Sequence, residues 1–282
     1  MKPSKLFFLT LSLLIPLVGW GADKMSKKSI KLTPFKSILI SHAWEVELIQ
    51  GNSYQLTLES SEEVLAHTVA QVFSDQLVIE MKQTNTFSAW LKKNNPFGRV
   101  KMKATLTLPT FDHLQLSGAV KLSSLDEFKM ERATINLSGA STIEQLKLNN
   151  QELQLEVSGA STFKGYAKNS KQIKIELSGS SRIDLENLNA EEIKAEVSGA
   201  SSLTVVGVCK DIHTKVSGAS SIKAAYLEAI TGTVSHSGAS NGSYILKGEA
   251  KLTATGASTI RVKGDSTHKI QNVAKGSSIK FD

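Results

Sequence analysis

Leu155-Glu156-Val157-Ser158-Gly159-Ala160-Ser161-Thr162-Phe163 is the stretch that decides the fold, because its centre keeps returning. Relatives of Ser158-Gly159-Ala160-Ser161 begin at Ser117, Ser138, Ser178, Ser198, Ser217, Ser237 and Thr255, and Lys275-Gly276-Ser277-Ser278 is a degenerate copy. The glycines at 118, 139, 159, 179, 199, 218, 238, 256 and 276 are 18 to 21 residues apart. A period near 20, held over more than half the chain, is the signature of a solenoid.

Aligned on the glycine, the position four before it reads Leu114, Ile135, Leu155, Ile175, Ala195, Thr214, Val234 and Leu252. Two before it come Leu116, Leu137, Val157, Leu177, Val197, Val216, His236 and Ala254, and the residue between is polar in every copy. Such alternation marks a strand with one buried face. Apolar residues resume four after the glycine with Leu122, Ile143, Phe163, Ile183, Leu203, Ile222 and Ile260. Twenty residues are too few for a strand and a packed helix but suffice for one rung of a right-handed parallel β-helix. The glycine supplies a positive φ at a corner, and the serine two after it points to the corner interior. The expectation is an all-β solenoid: irregular rungs over 35–110 and regular SGAS-type rungs over 111–282, in a single domain spanning 35–282.

The N-terminus reads differently. Residues 1–21 carry Lys2 and Lys5, an apolar run from Leu6 to Val18, and Gly19-Trp20-Gly21, the pattern of a secretory signal peptide. Cleavage there leaves 31 basic and 26 acidic residues, a net +5, too mild to suggest a nucleic-acid partner. Residues 22–34 form a basic leader with Lys24, Lys27, Lys28 and Lys31. Asn52 and Asp75 mark turns, and Glu62 to Val72 reads either as a short helix or as a strand connection. Phe87, Trp90 and Phe97 among Lys92 and Lys93 predict a protruding loop over 86–99 that caps the solenoid or stacks on a sugar. No later stretch has the length and apolarity of a membrane-spanning helix. The lone Cys209 has no internal disulfide partner.

Phe35-Lys36-Ser37-Ile38, Glu45-Val46-Glu47-Leu48-Ile49-Gln50-Gly51, and Leu106-Thr107-Leu108-Pro109 leading into Leu114-Gln115-Leu116-Ser117-Gly118-Ala119 resemble the head GIN domain family, named for autotransporter adhesins. The resemblance covers about residues 35 to 280. It implies a secreted or envelope-exposed bacterial β-solenoid in the periplasm, on the outer membrane or outside the cell, with no established enzymatic activity.

Chemistry is sparse. Gly238-Ala239-Ser240-Asn241-Gly242 fits a hydrolase nucleophile elbow, but that motif needs a strand-turn-helix setting, and Ser240 is the repeat's corner serine. The six histidines lack metal-ligand spacing, so no metal or cofactor is expected. His236, in an apolar column, reads as a hydrogen-bonded core residue. The sharpest constellation is Glu156, Glu176 and Glu196, three before the glycine on successive rungs and roughly 4.8 Å apart if the rungs stack in register. Lys174 and Lys194 stand in the neighbouring column with Gln154 and His213. Carboxylates about 5 Å apart suit a retaining glycosidase, whereas flanking lysines suit a compensated surface ladder, and neither column holds an aromatic. An outward hydroxyl column, Thr142, Thr162, Ser202, Ser221 and Thr259, is broken by Arg182 and Asn241, which argues against ice binding. The sequence thus points to an exported adhesin-like module engaging glycan or another surface component, with Glu156, Glu176, Glu196, Lys174, Lys194 and Trp90 as candidate contacts and a polysaccharide-cleaving enzyme as the alternative.

Overall fold

The computed structural model describes residues 14–16, 25–82, 100–266 and 268–282. They form a parallel β-solenoid of about eight turns. Every repeat glycine from Gly118 to Gly276 has φ between +68° and +90°, so the chain turns at each one through the left-handed region. Corners stack through the backbone. The Ala160 N–H donates to the Gly139 carbonyl at 2.7 Å and Ala200 to Gly179 at 2.8 Å.

Each rung bends twice more, where the buried-exposed alternation slips. In Thr142–Val157, Ile143, Leu146, Leu148, Asn150, Leu153 and Leu155 are buried, so the inward step lengthens from two to three residues at 143–146 and again at 150–153. Three straight segments result, and the first slip coincides with a register shift between Ile143 and Lys147. Equivalent shifts fall between Leu185 and Leu188, Thr204 and Val206, and Ala224 and Glu228. These bulges absorb the variation in repeat length, while the glycine corner stays constant.

The corner serines point inward as their position implies. Ser141, Ser161, Ser181, Ser201, Ser220, Ser240 and Ser258 are all buried. Ser181, Ser201 and Ser220 donate their hydroxyls to the carbonyls of Gly159, Gly179 and Gly199 at 3.1–3.2 Å. In the rung carrying His236, Nδ1 lies 3.1 Å from Ser240 Oγ and Nε2 lies 2.8 Å from Tyr244 Oη, which is 3.1 Å from Thr214 Oγ1. Gly242 makes room for both rings, since a Cβ there would sit 2.6 Å from each. Burial lowers the His236 pKa to about 4. His236 is a core histidine, and Ser240 faces it rather than solvent. Cys209 is buried in Ser202–Val216, its thiol raised to about 12 by burial and then by Asp211.

The N-terminal irregularity takes a definite form. Ser37–Ile40 and Glu45–Gln50 are the two strands flanking a further corner, Ser41-His42-Ala43, with His42 at φ +77°. Ser37–Ile40 pairs in register with His113–Leu116. This corner copy escaped the reading of the repeat because histidine replaces its glycine. Gln76–Met81 and Lys103–Leu108 lie parallel to these strands on the opposite side. Beyond them the pairing turns antiparallel. Gln55–Ser61 lies against Lys103–Leu108, Met25–Lys31 against Gln55–Ser61, and Thr68–Phe73 against Gln76–Met81. Met25–Lys31 thus places a strand within the basic leader, and it also pairs with Leu14–Pro16, the only described part of the apolar N-terminal run. Glu62–His67 is a short helix, capped by Ser61 and acidic in its first turn, and the chain returns at once to strand.

Candidate functional site

The strand entering each glycine corner turns one side outward, and residues seven, five and three before the glycine occupy it. Parallel register aligns these into three columns. The first runs Arg132, Glu152, Gln172, Glu192, Asp211, Thr231, and the second Thr134, Gln154, Lys174, Lys194, His213, Thr233. The third runs Asn136, Glu156, Glu176, Glu196, Lys215, Ser235. Glu156, Glu176 and Glu196 are therefore direct register neighbours, about 4.8 Å apart by strand spacing. Lys174 and Lys194 are neighbours in the same way. Trp90 and the 86–99 loop lie outside the described residues.

Adjacent lysines choose opposite partners. Lys174 Nζ reaches Glu176 in the third column at 2.6 Å, whereas Lys194 Nζ reaches Glu192 in the first at 2.8 Å. Glu192 gathers the most contacts: Gln172 Nε2 donates to it at 2.7 Å, and His213 Nε2 lies 3.6 Å from it. Its carboxyl is held below the usual range by the Lys194 hydrogen bond first and the Gln172 bond second. The Lys174 ammonium is held above its usual value, chiefly by its hydrogen bond to Glu176 and that carboxylate's charge. Glu156 accepts from Gln154 at 2.6 Å, Glu196 pairs with Lys215 at 3.0 Å, and Arg132 pairs with Glu152 at 2.9 Å.

The sequence reading missed the first column, which holds the best-connected carboxylate of the face. Its signal was present as charged or amide residues seven before successive glycines, but those residues follow a bend, and alternation alone did not carry across it. Two depressions mark the face. One, of about 470 Å³, lies between the third column and the corner, lined by Glu176, Glu196, Lys215, Ser198 and Ser237. The other, of about 640 Å³, lies toward the N-terminal rungs, lined by His113, Arg132, Glu152 and Lys174. Among the described residues no three His, Cys, Asp or Glu side chains are grouped to hold a metal ion. No helix in them is long and apolar enough to cross a membrane.

A parallel β-solenoid with a compensated, charge-striped strand face is the class of protein these observations define. The family described as "Putative auto-transporter adhesin, head GIN domain" matches residues 34–169 and 166–266, and the chain belongs to that family. Solved structures share its fold at low identity. A "putative adhesin" from Parabacteroides distasonis is 16% identical with a TM-score of 0.69, covering 93% of this chain and 98% of that one. One from Parabacteroides merdae is 15% identical with a TM-score of 0.64 and the same coverage, 93% and 98%. A "putative lipid binding protein" from P. distasonis is 17% identical with a TM-score of 0.62, covering 92% and 96%. No curated protein matches the sequence.

Proposed function

We propose that this adhesin-family protein is exported and acts by binding, engaging a glycan through the striped face without cleaving it. The observation that carries the reading is the in-register face itself. It sets carboxylate, ammonium and amide groups in aligned columns, with Glu156, Glu176 and Glu196 equivalent on three successive rungs and Lys174 and Lys194 on two, so a polymer with a repeating polar unit meets similar partners at neighbouring positions. Many weak contacts then add as avidity. Glu176 is bonded to Lys174 and Glu196 to Lys215, which suits groups that exchange partners with a ligand rather than a free general acid and nucleophile. The names of two structural neighbours as adhesins agree with this role.

A glycan array with wild type and the Lys174→Ala/Lys194→Ala double variant tests binding, and release of reducing ends or unsaturated sugars tests turnover. The expected result is retention on a subset of glycans, weakened in the variant, with no cleavage products. Cleavage abolished by Glu176→Gln would instead establish the enzyme. Export is tested separately: mature protein should begin near Ala22, and an intact Met1 on cytoplasmic protein would refute it. Cleavage there would also remove Leu14–Pro16 from the edge of Met25–Lys31, leaving an edge protected by Lys27, Lys28 and Lys31.

A further inference from the structure

The terminal strands of this solenoid are not alike. Met25–Lys31, which becomes an edge once Leu14–Pro16 is removed, carries three lysines, His268–Val273 carries Lys269, and Ser278–Phe281 carries Lys280. Charges of this kind on edge strands discourage pairing with other chains. Thr68–Phe73, reading Thr-Val-Ala-Gln-Val-Phe, has no charged residue, no proline and no glycine. Among the described residues it pairs only with Gln76–Met81, and Phe73 at its end is 72% exposed. We propose that this strand is a self-association edge, joining a second copy of the chain across a twofold axis through Gln71.

The backbone limits the register: the Thr68 N–H is already bonded to the Leu65 carbonyl, which leaves Ala70 and Val72 with both backbone groups to offer. Lys82 N–H donates to the His67 carbonyl at 2.8 Å, which makes residues 67, 69, 71 and 73 the ones bonded toward Gln76–Met81. By alternation the N–H and C=O groups of Ala70 and Val72 point away from the sheet. In an antiparallel pair about a twofold axis normal to the sheet, residue numbers facing each other must sum to an even number, or opposite faces would be brought together. A sum of 142 sets Ala70 against the second copy's Val72, so the free backbone groups exchange hydrogen bonds on both sides of the axis. Gln71 then meets its own copy in a non-hydrogen-bonded pair, where side chains approach most closely. Val69 meets Phe73 on the solvent face, twice, giving the otherwise exposed ring a β-branched partner. Ala70 and Val72 already pack against the core on the other face.

The second copy is favoured as occupant because the strand complements itself. Its uncharged composition removes the like-charge penalty that symmetric pairing imposes on a charged edge, and its only solvent-face apolar residues fall opposite each other. One six-residue pair is a small interface, so the association is expected to be weak, in roughly the micromolar range or above.

Sedimentation equilibrium of the purified chain over a wide concentration series tests this. Wild type should show a reversible monomer–dimer equilibrium. Gln71→Lys and Gln71→Glu each place like charges face to face on the axis and should each weaken association severalfold, by up to about fivefold. Gln71 is exposed, so neither should change the melting temperature. The equimolar mixture of the two variants should recover dimer, a result that pairing with residues 83–99 of the same chain or with a foreign strand does not produce. A wild type that is monomeric throughout, a dimer indifferent to both variants, or a mixture that stays monomeric would each overturn the proposal.

Discussion

Gly179 stacks on Gly159 with no room for a side chain: a Cβ on Gly179 would lie 2.5 Å from the Gly159 carbonyl oxygen. The same residue holds φ at +76°. Two independent constraints therefore demand glycine, and Gly179→Val violates both. The left-handed backbone alone costs about 1–2 kcal/mol for a residue with a Cβ. The clash is with backbone that cannot rotate away, and the total is expected to exceed about 3 kcal/mol. Thermal denaturation should show a large loss for Gly179→Val. Gly51→Ala should lose distinctly less, because its Cβ would meet the Thr107 methyl at 2.8 Å and no backbone atom, and its φ lies outside the left-handed region. Equal effects would refute the stacked-corner account.

His42 tests the same corner in reverse. It occupies the glycine position of the first rung at φ +77°, and a Cβ on Gly118 would lie 2.7 Å from its carbonyl oxygen. His42→Gly relieves the left-handed strain but loosens the unfolded chain, so the net gain is expected to be up to about 1 kcal/mol. A fall in melting temperature would mean that the hydrogen bond to Ser41, at 2.9 Å, outweighs the strain.

Acid should weaken the solenoid from within. The His236 pKa, about 4 in the fold, lies below an unfolded value near 6.5. Folding therefore favours the neutral ring. The stability tied to this group is fully present above pH 6.5, is lost as pH falls from 6.5 toward 4, and changes no further below that. The loss is expected to be about 3 kcal/mol. Melting temperatures at pH 7 and pH 4 should differ more for wild type than for His236→Val, which places in this column the residue type of Val216. Equal pH dependence would show that acid acts elsewhere.

Glu192 and Glu176 differ in connection although both stand on the striped face. Glu192→Gln breaks contacts to Lys194 and His213 and is expected to cost about 1 kcal/mol at pH 7, a difference that shrinks below the carboxylate range as wild-type Glu192 protonates. Glu176→Gln loses one exposed pair while relieving like charge from Glu156 and Glu196, and its melting temperature should match wild type. The reverse ranking would refute the network described for the face.

The repeat alone determined the solenoid, because a glycine with fixed apolar flanks every 18 to 21 residues allows only a stacked turn. It also determined the inward corner serines and the alignment of Glu156, Glu176 and Glu196, since strand alternation and a constant period place them without knowledge of distant contacts. Three features needed the tertiary structure. The tenth corner was hidden because His42 adopts a backbone conformation normally left to glycine, and only packing beneath Gly118 enforces it. Lys174 and Lys194 each pair within their own strand: Lys174 has Gln172 on one side and turns to Glu176, whereas Lys194 has a glutamate on either side and turns to Glu192 while Lys215 of the next rung takes Glu196. The antiparallel N-terminal strands, with the uncharged edge of Thr68–Phe73, carry no copy of the glycine repeat. Their pairing is set by which edge of the first rungs remains open, a property of the assembled sheet and of no single segment.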